Sequence, residues 1–339
     1  MRFRSVGWEP WCVFFVVAMV VGVLIGISGS NWFMVWFGLE LNTLAFVSFL
    51  GVGRGLVISE SAIKYFVAQC VGSSFLLYGI SLLGVERWVG CYFLTVGFLI
   101  KAGVPPFHFW YPSVLSGLDW FSFFFLSTLQ KVVPLGGLSQ MKVFGLICVL
   151  AAVGMLFSGF VGLKQGSVRG MFAYSSIGHM CWMLVAGQIS LELLWCYLIF
   201  YIFLMSCVSY FLFFSDPWFV CSLGFSNLEV FSRVSFVILM LSLGGLPPLI
   251  GFIPKWLVVM EVVCFSPLSV GVMVVGSAVH LAYYINFCLF LMLGCSSSGK
   301  WLAGGGEVNM VGFFWLVGTC MGMLQFLGTV WLGVGSFIY

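Results

Sequence analysis

Five ionisable side chains lie within, or at the interrupted middle of, long apolar segments of this sequence: Glu40, Lys101, Lys131, His179 and Lys255. An ionisable side chain at the centre of a bilayer costs about 2.5–3.5 kcal/mol on insertion scales, so such residues are usually kept for moving ions or protons. Three lysines and one glutamate, with almost no other charge inside the apolar segments, are typical of a proton path.

The pairing of Glu40 with Lys101 is the first hypothesis. Glu40 lies ten residues into the second apolar segment, and Lys101 precedes a pair of prolines. Burial favours the neutral form of a lysine, whereas a nearby carboxylate favours the protonated form. A Glu40–Lys101 pair could therefore release a proton when its two members separate. The alternative is a structural ion pair that joins two helices.

Three further residues are predicted to extend this path. Lys131 lies deep in the fifth segment and is the natural middle relay, unless its side chain snorkels to an interface. Lys255 has the same two interpretations, because Pro254 could shift it towards a helix end. His179 titrates near neutrality and suits a relay, but a hydrogen bond to a serine or the backbone would explain it equally well.

Other charged or titratable residues are weaker candidates. Glu60 and Lys64 are four residues apart and are interpreted as an ion pair on a helix surface. Lys142 is either interfacial or a link between two half-channels. His108 and His280 give no specific signal.

The composition requires lipid as the main solvent. The chain has 339 residues, of which 62% are hydrophobic and only 7% are charged, against about 25% charged in a soluble domain. A span needs about 20 residues, so there is room for about a dozen spans and for no nucleotide-binding domain. No basic run suggests nucleic acid. The 12 cysteines are scattered without a C-x-x-C pair and behave as small buried hydrophobes.

The pattern of apolar segments predicts an all-α polytopic membrane protein with about eleven spans. Alternate connections place seven cationic residues on one side and only Arg87 on the other, which puts the N-terminus on the positively biased side. Arg2 and Arg4 flank the first span, and no cleavage site of a signal peptide follows. The predicted spans are 11–28, 31–51, 57–83, 88–111, 114–135, 137–159, 167–188, 190–214, 229–260, 267–294 and 309–336, and the seven cationic residues are Arg2, Arg4, Arg54, Lys164, Arg169, Arg233 and Lys300.

Two spans are interrupted by the same chemistry. The fourth contains Gly103-Val104-Pro105-Pro106, and the ninth contains Gly245-Leu246-Pro247-Pro248. Paired prolines break a helix, and membranes tolerate such breaks where they face protein or a water-filled cavity. An odd offset of five spans between the breaks indicates an inverted repeat, as in secondary transporters. We predict one transmembrane domain over 1–339, with repeat halves at 11–135 and 137–294 and a C-terminal helix at 309–336.

Six stretches, distributed over most of the chain, resemble subunit 2 of mitochondrial NADH dehydrogenase, a family of antiporter-like membrane subunits of respiratory complex I. They are WFGLELN (36–42), SAIKYFVAQ (61–69), KAGVPPFHFWYPSVLSGLDW (101–120), TLQKVVP (128–134), AYSSIGHM (173–180) and LSLGGLPPLIGFIPKW (241–256).

The resemblance implies a function and a location. Its motifs place the family's glutamate–lysine pair on Glu40 and Lys101, the central lysine on Lys131 and the exit lysine on Lys255. It implies proton translocation coupled to electron transfer elsewhere in the complex, with no cofactor in this chain and NAD and ubiquinone used by the whole complex. Expected partners are neighbouring membrane-arm subunits, antiporter-like ones included, and lipids. The expected location is the mitochondrial inner membrane, with the N-terminus on the matrix side and the C-terminus on the intermembrane-space side.

Two alternative functions stay open at this point. A stand-alone sodium/proton antiporter component would share the inverted breaks and the lysines. A purely structural membrane-arm subunit would use the charges only to hold helices together.

Overall fold

The computed structural model describes residues 10–53, 55–141, 143–215, 230–247 and 249–293, and its elements are all helices. A helix bonds its backbone polar groups internally, as an apolar solvent requires. In these ranges the helices are α1 (Pro10–Ser28), α2 (Trp32–Val52), α3 (Leu56–Leu82), α4 (Arg87–Ala102), α5 (Trp110–Leu115), α6 (Trp120–Ser127), α7 (Leu129–Gln140), α8 (Phe144–Leu163), α9 (Val168–Ile189), α10 (Leu191–Ser215), α11 (Val230–Gly244), α12 (Phe252–Val262) and α13 (Pro267–Leu293).

The predicted all-α membrane class is confirmed, whereas the count of eleven spans stays a prediction. Within the described ranges, seven helical segments are long and apolar enough to cross a membrane. The fourth predicted span is helical only as far as the end of α4 and reaches just the first two residues of α5, and the ninth is divided into α11 and α12. The predicted C-terminal helix at 309–336 lies outside the described residues. The division into inverted halves also stays a prediction.

Two predicted spans had boundaries that were wrong by several residues. The predicted spans 114–135 and 137–159 correspond to α6 with α7, over 120–140, and to α8, over 144–163. A turn after α5 delays the start of the fifth span, because Asp119 is extended and precedes α6. Pro134 lies inside α7 and does not end it, so the helix continues to Gln140.

Glycines bring neighbouring helices into backbone contact. A Cβ atom on Gly38 of α2 would lie 2.6 Å from the backbone nitrogen of Gly26 on α1, and a Cβ on Gly79 of α3 would lie 2.9 Å from that of Leu94 on α4. Close approach of this kind replaces the hydrophobic driving force that lipid cannot supply. These contacts fix α2 and α4, the two helices that carry Glu40 and Lys101.

Both predicted helix breaks are present and have the same local form. Gly103 follows α4 with φ of 70°, and Gly245 follows α11 with φ of 78°. Glycine adopts this left-handed conformation without the steric penalty of a side chain, which makes it a common helix terminator. Between the breaks in the chain lies α9, which is buried over almost its whole length. The first break begins among buried residues at Gly103, whereas the second is partly exposed at Gly245.

Candidate functional site

Glu40 and Lys101 form the ion pair that the sequence suggested. Lys101 Nζ lies 2.8 Å from Glu40 Oε1, with the lysine side chain 1% exposed and the glutamate side chain 24% exposed. Lys101 occupies the last turn of α4, directly before the break at Gly103. One partner is thus enclosed at a helix interruption, while the other reaches the outer surface of the bundle.

A polar network joins this region to α7. The Tyr65 hydroxyl donates to Gln130 Oε1 at 3.0 Å, and Gln130 Nε2 donates to Asn42 Oδ1 at 3.0 Å. Gln130 adjoins Lys131, and Asn42 lies two residues from Glu40 on α2. These three polar residues were not among the sequence candidates, although the amide of Gln130, directly before a lysine inside an apolar segment, was a signal for one of them.

Lys131 is enclosed and does not snorkel. The residue is 3% exposed, and its ammonium donates to the backbone oxygen of Ser176 at 3.3 Å. The ammonium also lies 4.9 Å from the ring centre of Tyr111 and 5.3 Å from that of Tyr201. In the described ranges no carboxylate pairs with Lys131, so its ammonium is held by a carbonyl and two aromatic faces.

His179 lies on the buried helix α9 between two of the lysines. Its Nδ1 is 3.1 Å from the Tyr197 hydroxyl of α10, so its partner is a tyrosine and not the serine or backbone group proposed as the alternative. The Tyr201 ring is centred 5.1 Å from the imidazole. The same Tyr201 ring lies 5.3 Å from the ammonium of Lys131, so one tyrosine contacts both His179 and Lys131.

Lys255 caps the end of α11. It lies in the first turn of α12 and is 7% exposed. Its ammonium donates to the Gly244 oxygen at 2.8 Å and reaches the Leu243 oxygen at 3.5 Å. Pro254 therefore leaves Lys255 inside the bundle, against the second helix break.

The remaining sequence candidates divide into surface, buried and undescribed residues. Glu60 and Lys64 form the expected surface ion pair at 2.6 Å. Arg169 was counted as a loop charge, and this was wrong: it is buried in the first turn of α9 with its guanidinium 5.1 Å from the Trp120 ring. His108 is buried beside the rings of Phe109 and Phe157. Lys142 lies outside the described residues.

These titratable groups lie on helices that pack against one another in series, α2 and α4 on α7, α7 on α9, and α9 on α12; we call them the row. It runs from the Glu40–Lys101 pair through the neighbourhood of Gln130 to Lys131, His179 and Lys255. Near the centre, the buried hydroxyl of Tyr201 has no hydrogen-bond partner in the described part of the chain. In that same part, no group of three His, Cys, Asp or Glu residues could hold a metal ion. The arrangement can bind, hold and exchange protons.

A family model described as NADH:quinone oxidoreductase/Mrp antiporter, transmembrane, matches residues 29–85 and 83–281. The chain belongs to this family. The matched ranges contain Glu40, Lys101, Lys131, His179 and Lys255, so the family match covers the whole candidate site.

Individual relatives agree with the family match. NADH-ubiquinone oxidoreductase chain 2 of Aedes aegypti is 34% identical over 300 residues, covering 85% of this chain and 88% of the relative. The protein of the same name from Anopheles gambiae is 31% identical over 312 residues, with 85% and 88% covered.

Solved structures have the same fold. A chain of respiratory complex I from Thermus thermophilus with bound aureothin superposes with a TM-score of 0.83 and 24% identity, covering 96% of this chain and 80% of that chain. A chain of the Mrp complex from Dietzia sp. gives a TM-score of 0.75 and 17% identity, with 86% and 62% covered. These members of the antiporter-like fold extend beyond the part that the present chain matches.

Proposed function

We propose that this chain is the chain 2 membrane subunit of a mitochondrial NADH:ubiquinone oxidoreductase and carries protons through Glu40, Lys101, Lys131, His179 and Lys255. The observation that supports a proton path is the enclosed position of Lys131, which has a carbonyl and two tyrosine rings around its ammonium and no carboxylate in the described ranges. Cation–π contacts and one neutral acceptor hold an ammonium less firmly than a carboxylate does. Lys131 can therefore both take and give up a proton.

The Glu40–Lys101 pair acts as the switch in this proposal. While the two atoms are 2.8 Å apart, the carboxylate holds the lysine in its protonated form. Movement of Glu40, the more exposed partner, removes that attraction. Lys101 then releases a proton, neutral Lys131 receives it, and His179 passes it on to neutral Lys255. Lys255 then releases its proton to water on one side of the membrane. Lys101 takes up a new proton from water on the other side when Glu40 returns, so every group recovers its starting protonation.

Electron transfer takes place in other subunits of the complex under this proposal. The chain binds no cofactor, and the complex as a whole uses NAD and ubiquinone. Reduction of the quinone changes the charge in those subunits, and the resulting change in electrostatic potential acts on Glu40. The helix breaks that begin at Gly103 and Gly245 supply the irregular backbone that lines a hydrated path.

The apolar outer surface of the bundle supports the proposed partners, and the charges of the connections support the proposed orientation. The outer faces of α1 and α3 expose large apolar side chains, among them Phe14, Leu24, Ile63 and Val67. Membrane-arm subunits, including neighbouring antiporter-like ones, and lipids cover these faces. The chain is, in this proposal, a multi-pass protein of the mitochondrial inner membrane. The cationic connections that remain after the correction of Arg169 support an N-terminus on the matrix side and a C-terminus on the intermembrane-space side.

A stand-alone antiporter component is the second candidate, because the fold is shared with a chain of the Mrp complex. A native gel of mild-detergent membranes separates the two. Co-migration of this chain with a very large band that reduces dye with NADH supports the oxidoreductase. Migration as a small species apart from that activity contradicts it.

Substitution of Lys131 tests the proton path directly. Lys131→Met keeps an unbranched side chain of similar length and removes the charge, and the exposed Lys164 provides the control Lys164→Met. We expect Lys131→Met to assemble normally and to lower the number of protons pumped per NADH, while Lys164→Met leaves that ratio unchanged. A Lys131→Met complex that assembles and pumps like wild type would contradict the relay and favour a structural subunit.

A further inference from the structure

His280 is a buried histidine on α13 that the row described above does not use. It is 3% exposed, and two glycines make room for its ring. A Cβ atom on Gly159 of α8 would lie 3.1 Å from its Cδ2, and a Cβ on Gly178 of α9 would overlap the ring itself. Gly178 directly precedes His179. The imidazole of His280 therefore lies against the backbone of α9 next to the relay histidine.

The hydrogen bonds of Ser158 assign the protonated nitrogen of the His280 ring. The Ser158 hydroxyl donates to the Met155 oxygen at 3.1 Å, and Ser158 Oγ is 3.1 Å from His280 Nε2. A hydroxyl has one proton to donate. Because that proton is directed to Met155, the imidazole Nε2–H is the donor to Ser158. The basic lone pair of the neutral ring is then on Nδ1, the nitrogen that adjoins Gly178.

Titratable groups face His280 from several helices. His179 lies on α9 directly after Gly178, and Lys255 lies on α12, which packs against both α9 and α13. Tyr283 has its ring centre 5.4 Å away on α13. From α8 the ring meets Ser158, which does not titrate. The buried hydroxyls of Tyr283 and Tyr284 have no hydrogen-bond partner in the described ranges, and buried polar groups of this kind bind water.

We propose that His280 is a second proton-accepting histidine of the path, in a side branch between His179 and Lys255. This inference rests on the proposed function. A proton leaves protonated His179, crosses water held by the Tyr283 and Tyr284 hydroxyls, and binds His280 Nδ1 while Nε2–H stays bonded to Ser158. The same proton then leaves Nδ1 for the neutral amine of Lys255, so no proton is gained or lost overall.

Two substitutions in the intact complex test the branch. His280→Gln keeps an N–H that can donate to Ser158 and removes the basic nitrogen. Gly178→Ala leaves the imidazole in the sequence and displaces it from its position. Gly271→Ala is the matched control on α13, because a Cβ atom there meets nothing within 4 Å. The measurements are protons pumped per NADH across a pH series, assembly on native gels, and NADH-driven dye reduction.

The expected result is a pumping ratio lowered by at least half of the decrease seen in Lys131→Met. We expect this for both His280→Gln and Gly178→Ala, with assembly and dye reduction retained. His280→Gln should also change the dependence of the pumping ratio on pH. The variant that combines His280→Gln with Gly178→Ala should pump no less than either single variant. Gly271→Ala should behave as wild type. If Lys131→Met lowers the ratio and His280→Gln keeps the wild-type ratio and pH profile, His280 is a structural residue and the inference is overturned. If Lys131→Met itself pumps normally, the proposed function fails first.

Discussion

Removal of the Glu40 charge should leave a buried ammonium without its partner. At the observed 2.8 Å separation, two unit charges attract by about 6 kcal/mol at an effective dielectric constant near 20 and by about 1.5 kcal/mol in water. For an effective dielectric constant between these two values we expect a coupling energy of about 3 kcal/mol, or roughly a hundredfold in an equilibrium constant.

A double-mutant cycle measures this coupling. The variants are Glu40→Gln, Lys101→Met and the two combined, compared by the rate at which heat destroys the large NADH-oxidising band, since a membrane complex of this size loses its structure irreversibly. Glu40→Gln should increase the rate of heat inactivation most, because it leaves Lys101 charged and enclosed without its partner. The destabilisation in the double variant should be smaller than the sum of the destabilisations in the two single variants.

The exposed pair Glu60–Lys64 supplies the control for the same measurement. Its members are four residues apart on α3 and open to the surroundings, so the corresponding cycle should show no measurable coupling. If the effects of Glu40→Gln and Lys101→Met simply add, the two side chains do not interact in the working complex and the switch is refuted.

Three other substitutions have defined outcomes. Gly38→Ala should prevent assembly, because its Cβ would lie 2.6 Å from the backbone of Gly26, whereas Gly51→Ala meets nothing within 4 Å and should assemble in native gels as wild type. Tyr65→Phe should lower thermal stability by about 1–3 kcal/mol, because Gln130 Oε1 loses its buried donor; an unchanged heat-inactivation rate, equal to that of exposed Tyr78→Phe, would contradict this. Gly245→Ala should lower the number of protons pumped per NADH, because φ of 78° costs an alanine about 1–2 kcal/mol and its Cβ would lie 2.8 Å from Lys255 Nζ. The control is Gly145→Ala, which should pump normally. Normal pumping by Gly245→Ala would show that Lys255 is not displaced.

Residue types alone predicted the parts of the site that are costly in a membrane. The enclosed positions of Lys101, Lys131 and Lys255 follow from the insertion penalty, and the breaks follow from paired prolines and a preceding glycine. The partners of His179 and Lys131 could not be predicted, because Tyr197, Tyr111 and Tyr201 reach them from other helices.

Positions near the start of a helix were the second source of error. Arg169 was counted as a loop charge although it lies at the start of the predicted span 167–188, and the structure encloses it in the first turn of α9 against Trp120. A ring stacked on a guanidinium compensates part of the desolvation, and such a contact between distant residues has no periodic signal in the sequence.

The contacts of Lys255 and Lys101 give the two lysines unequal vulnerability to mutation. Lys101 depends on one carboxylate, which a single change at codon 40 removes. Lys255 instead faces the carbonyl groups of Gly244 and Leu243 at the end of α11, where a helix presents about half a negative charge. Every amino acid supplies a carbonyl group, so no replacement of one side chain can delete this counter-charge. The electrostatic environment of Lys255 is thus set by the backbone, whatever the side chains of α11. We therefore expect natural sequence variation to change the protonation of Lys101 far more readily than that of Lys255.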